Sequence, residues 1–101
     1  METMTYTYQD TLLVLDDTVI EVFRRLVAGS QRTPLGWAGA TLKPKKGAEI
    51  QVQVGAATSP SDPFYSDHVT GSGAYAFSIP QSEEAALRSF LDEAARRGRR
   101  S

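Results

Sequence analysis

Two short segments of the chain carry a period of two. In Glu49-Ile50-Gln51-Val52-Gln53-Val54 every second side chain is apolar, the period of a strand with one wet face. Tyr75, Phe77 and Ile79 alternate with Ala74, Ala76 and Ser78 in the same way, and Pro80 ends that predicted strand. An earlier strand is predicted with Tyr6, Tyr8, Leu12 and Val14 on one side, followed by a turn at Asp16-Asp17. Near the C-terminus the period changes. Leu87, Phe90, Leu91 and Ala94 fall at i, i+3, i+4 and i+7, which predicts a helix over residues 83–97 with one apolar stripe. Ser82 is placed to cap it, Glu83 and Glu84 suit the positive end of its dipole, Arg96 and Arg97 suit the negative end, and Gly98 is the expected stop.

Two regions carry a mixed signal. Over residues 18–28, Val19, Ile20, Phe23, Leu26 and Val27 fit a helical stripe, whereas Thr18, Val19, Ile20, Val22 and Val27 are β-branched and suit a pleated surface. Over 32–44, Leu35, Trp37, Ala38, Ala40 and Leu42 are interrupted by Gly36 and Gly39, a strand bent or bulged at a glycine. Lys43-Pro44-Lys45-Lys46-Gly47 reads as a turn. Residues 55–73 have no period and carry Gly55, Pro60, Pro63, Gly71 and Gly73, the composition of a long loop. Strands first and one amphipathic helix last predict an α+β protein, mostly β, with an antiparallel sheet or small barrel under the helix.

With 101 residues the chain fits a single domain, 1–101, with an ordered core over about 5–97 and an Arg-rich tail at 98–101. It has no cysteine, which excludes disulfides, thiolate nucleophiles and Cys-ligated zinc. No run approaches the length of a membrane span, and the start Met1-Glu2-Thr3-Met4 lacks the pattern of a signal peptide, so the expected compartment is the cytoplasm. A formal net charge of −1 gives no field to attract nucleic acid or anionic lipid.

Gln31-Arg32-Thr33-Pro34-Leu35, then Leu42-Lys43-Pro44, then Ile50-Gln51-Val52-Gln53-Val54, resemble segments of short bacterial pleckstrin-homology-like (PH-like) domains of unknown function. Asp62-Pro63-Phe64-Tyr65 and Ala74-Tyr75-Ala76-Phe77 are similar to their later loop and strand. The resemblance covers roughly residues 5–97. It implies a partly open barrel of about seven antiparallel strands in two near-orthogonal sheets, capped by the C-terminal helix, and it makes residues 18–28 a strand. Five strands are legible directly. The other two are then expected within 32–42 and 55–73. Membrane-targeting relatives read phosphoinositides with Lys and Arg around the first hairpin. Here Asp16 and Asp17 are expected at that hairpin, which opposes phosphate.

Candidate chemistry is sparse. His68, beside Asp67 and near Asp62, is the only histidine, and no HExxH or paired-His spacing accompanies it. Ser30, Ser59, Ser61, Ser66, Ser72 and Ser78 lack a Gly-x-Ser-x-Gly elbow, and Gly71-Ser72-Gly73 precedes a strand rather than a helix, so it reads as a turn and not a phosphate cradle. No catalytic residue, metal or cofactor is expected. Phe64 and Tyr65, with Asp62 and His68, are candidate partner-binding residues if the loop exposes them; anchoring of the loop on the barrel is the favoured alternative. Arg32, Lys43, Lys45 and Lys46 are anion-binding candidates, set against a solubilising hairpin. Trp37 is expected in the core, and the tail arginines Arg96, Arg97, Arg99 and Arg100 are expected to serve the helix end. The expected function is a non-enzymatic module for a protein or peptide, including a second copy of itself. A surface adaptor for anionic lipid or phosphate is the alternative, and a small enzyme using the 55–73 loop comes third. No nucleic-acid partner is expected, and a membrane is not the expected partner.

Overall fold

A computed structural model describes residues 2–99. Arg100 and Ser101 of the expected tail lie outside the described residues, as does Met1. Four strands, β1 (Met4–Tyr8), β2 (Thr11–Leu15), β3 (Val19–Arg24) and β4 (Gln31–Pro34), form one antiparallel sheet in chain order. Three more, β5 (Ala38–Lys45), β6 (Glu49–Ala56) and β7 (Phe77–Pro80), form a second. One helix, α1 (Glu84–Arg97), follows. The protein is thus mostly β with a C-terminal helix, and among the described residues no ladder joins the two sheets into a closed barrel.

The inner faces follow the period of two. Tyr6 opposes Leu13, Leu15 opposes Ile20, and Ile50 opposes Ile79; all are buried. Leu87, Phe90, Leu91 and Ala94 bring the stripe of α1 onto this core, with the Tyr6 and Phe90 rings 6.2 Å apart. The Tyr6 hydroxyl donates to Glu83 at 2.9 Å, and burial together with that carboxylate raises its pKa.

Several expectations are corrected by this arrangement. Residues 6–14 are two strands rather than one. A two-residue turn at Gln9-Asp10 splits them, with Gln9 at a φ of 50°. The inward side chains of β2 are therefore Thr11, Leu13 and Leu15, and Leu12 and Val14 lie on the outer face. The two strands that could not be read directly come from this split and from 31–34, and none lies within 55–73 beyond the end of β6 at Ala56. The Asp16-Asp17 turn is present but is the second turn of the sheet. Asp16 Oδ1 accepts from the Thr18 and Val19 amides, both at 2.7 Å, and these bonds hold its carboxyl below the usual range.

Within residues 18–28 the strand reading holds for Val19–Arg24. A turn follows, in which Leu26 is 89% exposed. Lys43 and Lys45 belong to β5, so the tight turn is shorter than expected. Tyr75 lies in a 3₁₀ turn (Gly73–Tyr75) before β7 and not in the strand. Trp37 is 46% exposed: a 3₁₀ turn (Leu35–Trp37) buries Leu35 instead. Ser82 lies within a 3₁₀ turn (Gln81–Glu83), so α1 starts at Glu84 without a side-chain cap. Gly98 does end the helix, but at a φ of −83°, and Arg99 takes the left-handed conformation. The glycine is needed for space, because a Cβ there would overlap the Leu35 carbonyl.

Candidate functional site

Each sheet has two edges, and their backbone groups are the chemistry this fold displays most plainly. In the first sheet, Asp10 O accepts from Arg25 N and Val19 O accepts from Asp16 N. Even-numbered residues of β2 therefore bond towards β3, and odd-numbered ones towards β1. The register Tyr6↔Leu13 and Tyr8↔Thr11 then turns the amides and carbonyls of Thr5 and Thr7 away from the sheet. On the opposite edge, Leu35 N bonds Thr18 O in the same register, so Arg32 and Pro34 of β4 face outward.

In the second sheet, Ala40 bonds outward to the loop, and the period of two turns Leu42 and Pro44 the same way. Gln81 N bonds Ala48 O, so Ala76, Ser78 and Pro80 face outward from β7. Three edges thus place a proline, which has no N–H, at an outward position: Pro34, Pro44 and Pro80. A proline there blocks addition of another strand. Edge β1 has none.

Side chains bridge the seam between the sheets. Arg24 points inward from the end of β3; its guanidinium donates to the Ala76 carbonyl and to Asp10, the latter at 3.1 Å. That bond is the main cause of the lowered pKa of Asp10. Gln31 Nε2 donates to Val54 O at 2.5 Å, while its Oε1 accepts from Ser72 N at 2.9 Å. A cleft of about 380 Å³ opens beside this seam, lined by Tyr8, Gln9, Asp10, Thr11, Arg24 and Glu49 together with Ala76–Ser78. It lies next to the Tyr8 end of β1.

The loop after β6 is packed against the fold. Phe64 is 1% exposed, and its carbonyl accepts from Ala40 N at 2.9 Å while Ser66 N donates to Ala40 O at 3.1 Å. Val69 is buried, and Thr70 exchanges two backbone bonds with Ala56, at 2.8 and 2.7 Å. The anchoring alternative therefore holds for Phe64, which offers no surface to a partner. Tyr65 is half-buried against α1: its hydroxyl donates to Asp92 at 2.6 Å, and Arg88 lies 5.0 Å from its ring. Burial and the Asp92 carboxylate raise its pKa.

His68 is exposed, and Ser66 Oγ donates to its backbone carbonyl, not to its ring. Asp62 Oδ2 accepts from Ser59 N at 3.1 Å, a turn contact. Among the described residues, no group of three or more His, Cys, Asp or Glu side chains is placed to hold a metal ion.

The four basic candidates are divided. Lys43, Lys45 and Lys46 are exposed around the β5–β6 hairpin, where Lys45 stands opposite Glu49. Arg32 belongs to the other sheet, with its Nε 3.9 Å from Glu21. Among the described residues, no helix is long and apolar enough to cross a membrane.

Sequence reasoning missed the edge pattern because it depends on register, and register depended on the hidden turn at Gln9-Asp10. The signal was available in part: two of the five prolines, Pro44 and Pro80, follow or end predicted strands. Comparison of the chain with protein-family models, with curated proteins and with solved structures gives no match.

Proposed function

We propose that this protein is a non-enzymatic, PH-like interaction module that binds an extended protein segment by strand addition. The PH-like reading is supported by the order of four strands, three strands and a helix. The binding reading rests on one observation: β1 is the edge whose outward backbone is free of proline, and its exposed Thr5 and Thr7 flank a buried Tyr6. An incoming strand gains main-chain hydrogen bonds there, and alternate side chains supply selectivity. The separation of Arg32 from the lysine hairpin favours a protein partner over an anionic surface.

The test is selection of peptides from a random displayed library against the folded chain, followed by amide chemical-shift mapping. Selected peptides are expected to move the Thr5 and Thr7 amides and those of β2 beside them. Absence of any binder, or shifts that leave β1 unmoved, overturns the reading. Binding to anionic vesicles that weakens with salt and needs Lys43, Lys45 and Lys46 would put the lipid adaptor in its place.

A further inference from the structure

Resting on that reading, we infer that the segment which pairs with β1 is β1 of a second copy of this chain, antiparallel and related by a two-fold axis at Tyr6. The outward positions make the strand complementary to itself. If Tyr6 faces Tyr6 of the second copy, each Thr5 faces a Thr7. Each such pair is then of the kind that exchanges both N–H···O bonds, so the two pairs form four hydrogen bonds. Thr5 and Thr7 are exposed and Tyr6 is buried, so the new contact needs no rearrangement of the core.

Side chains agree with this pairing. Threonines opposite one another across strands attract, whereas like charges in the same place repel. The segment Met4-Thr5-Tyr6-Thr7-Tyr8 carries no charge, and the whole chain has a formal net charge of −1, so two copies meet little repulsion. On the outer face, Thr7 stands beside Leu12 and Thr5 beside Val14, with Phe23 beyond Leu12. Pairing sets these half-buried apolar rows on both sides of a threonine row and produces one eight-stranded sheet. The other edges do not compete, because Pro34, Pro44 and Pro80 each remove a donor at an outward position. A contact of five residues a side is small for an interface, so the dimer is weak and reversible.

Sedimentation of the full chain over a concentration series up to about millimolar tests the inference, a range suited to small interfaces. The wild type is expected to pass from monomer to dimer. Thr7→Pro copies the device of the other three edges and removes two of the four hydrogen bonds; its association should be at least tenfold weaker. The double variant Thr5→Lys with Thr7→Lys keeps every hydrogen bond of the monomer and places like charges across the axis. It guards against loss of folding in the proline variant and should stay monomeric with unchanged circular dichroism. A wild type that remains monomeric throughout, or variants that associate as the wild type does, overturns the inference. If the wild type is monomeric while library-selected peptides still shift Thr5 and Thr7, self-pairing fails and strand addition by another protein stands.

Discussion

Truncation of Phe64 to alanine tests whether the long loop is part of the core or a free recognition element. Its ring is 1% exposed, lies 5.1 Å from the Tyr65 ring in an edge-on arrangement, and belongs to the same buried cluster as Ala40, Val54 and Leu91. Deleting a phenylalanine from such a site costs about 3–5 kcal/mol, the lost transfer energy plus the cavity left behind. A domain of this size loses about 4–8 °C in Tm for each kcal/mol, so the midpoint should fall by at least about 12 °C. Tyr65→Phe is the comparison. It removes the hydroxyl that donates to Asp92 but keeps the ring, and should cost about 1 kcal/mol. Thermal unfolding followed by near-ultraviolet circular dichroism, with urea titration as a second measure, gives both values. A Phe64→Ala protein that melts within about 5 °C of the wild type refutes the claim that the loop is packed, since no buried phenylalanine is that inexpensive to remove.

Two further outcomes follow from local geometry. Gln9 holds a φ of 50° at a two-residue turn, where a side chain is strained. Gln9→Gly should therefore raise stability by about 0.5–1 kcal/mol in a urea titration, the strain relieved less the extra freedom glycine gives the unfolded chain; a loss of stability would show that the turn is unstrained. Glu93 is held down to a pKa of about 2 by hydrogen bonds from Arg96 and Arg97. Because the folded value lies below the unfolded one, its contribution is full above the ordinary carboxylate range and is lost as pH falls towards 2. Glu93→Gln should flatten the decline of Tm between about pH 5 and 2, and an unchanged acid limb would contradict the assignment.

The chain announces some of this structure and conceals the rest. Helix α1 and strand β6 are legible because each has one buried face and one wet face, which prints a period on the sequence. Strand β7 is half legible: Phe77 and Ile79 keep the period, while Tyr75 mimics it from a 3₁₀ turn, where its hydroxyl donates to Ala28 O at 3.1 Å. The turn at Gln9-Asp10 is concealed because glutamine is not a turn residue, and apolar residues on both faces of Leu12-Leu13-Val14 hide the alternation. Trp37 misleads for a different reason. Its size suggests the core, but the turn that carries it buries Leu35 and leaves Trp37 about half exposed. Of the candidate residues, Phe64 is apolar enough for its burial to be expected from the sequence, whereas the unblocked edge depends on which amides point outward, a property of pairing that no single segment encodes.

The docking of α1 has a consequence for the order in which this protein acquires its shape. Tyr6 rests on Phe90 and Glu83, and Arg97, whose side chain is 4% exposed, donates to Asp16 O at 3.2 Å. The N-terminal strands and the C-terminal helical segment therefore complete one another across some 80 positions of chain. Separations of that length make the entropic cost of the final closure high and the rate low. On the ribosome, β1 and β2 emerge early with their greasy sides uncovered and must wait for the last turn of α1 to be released before the interior is shut.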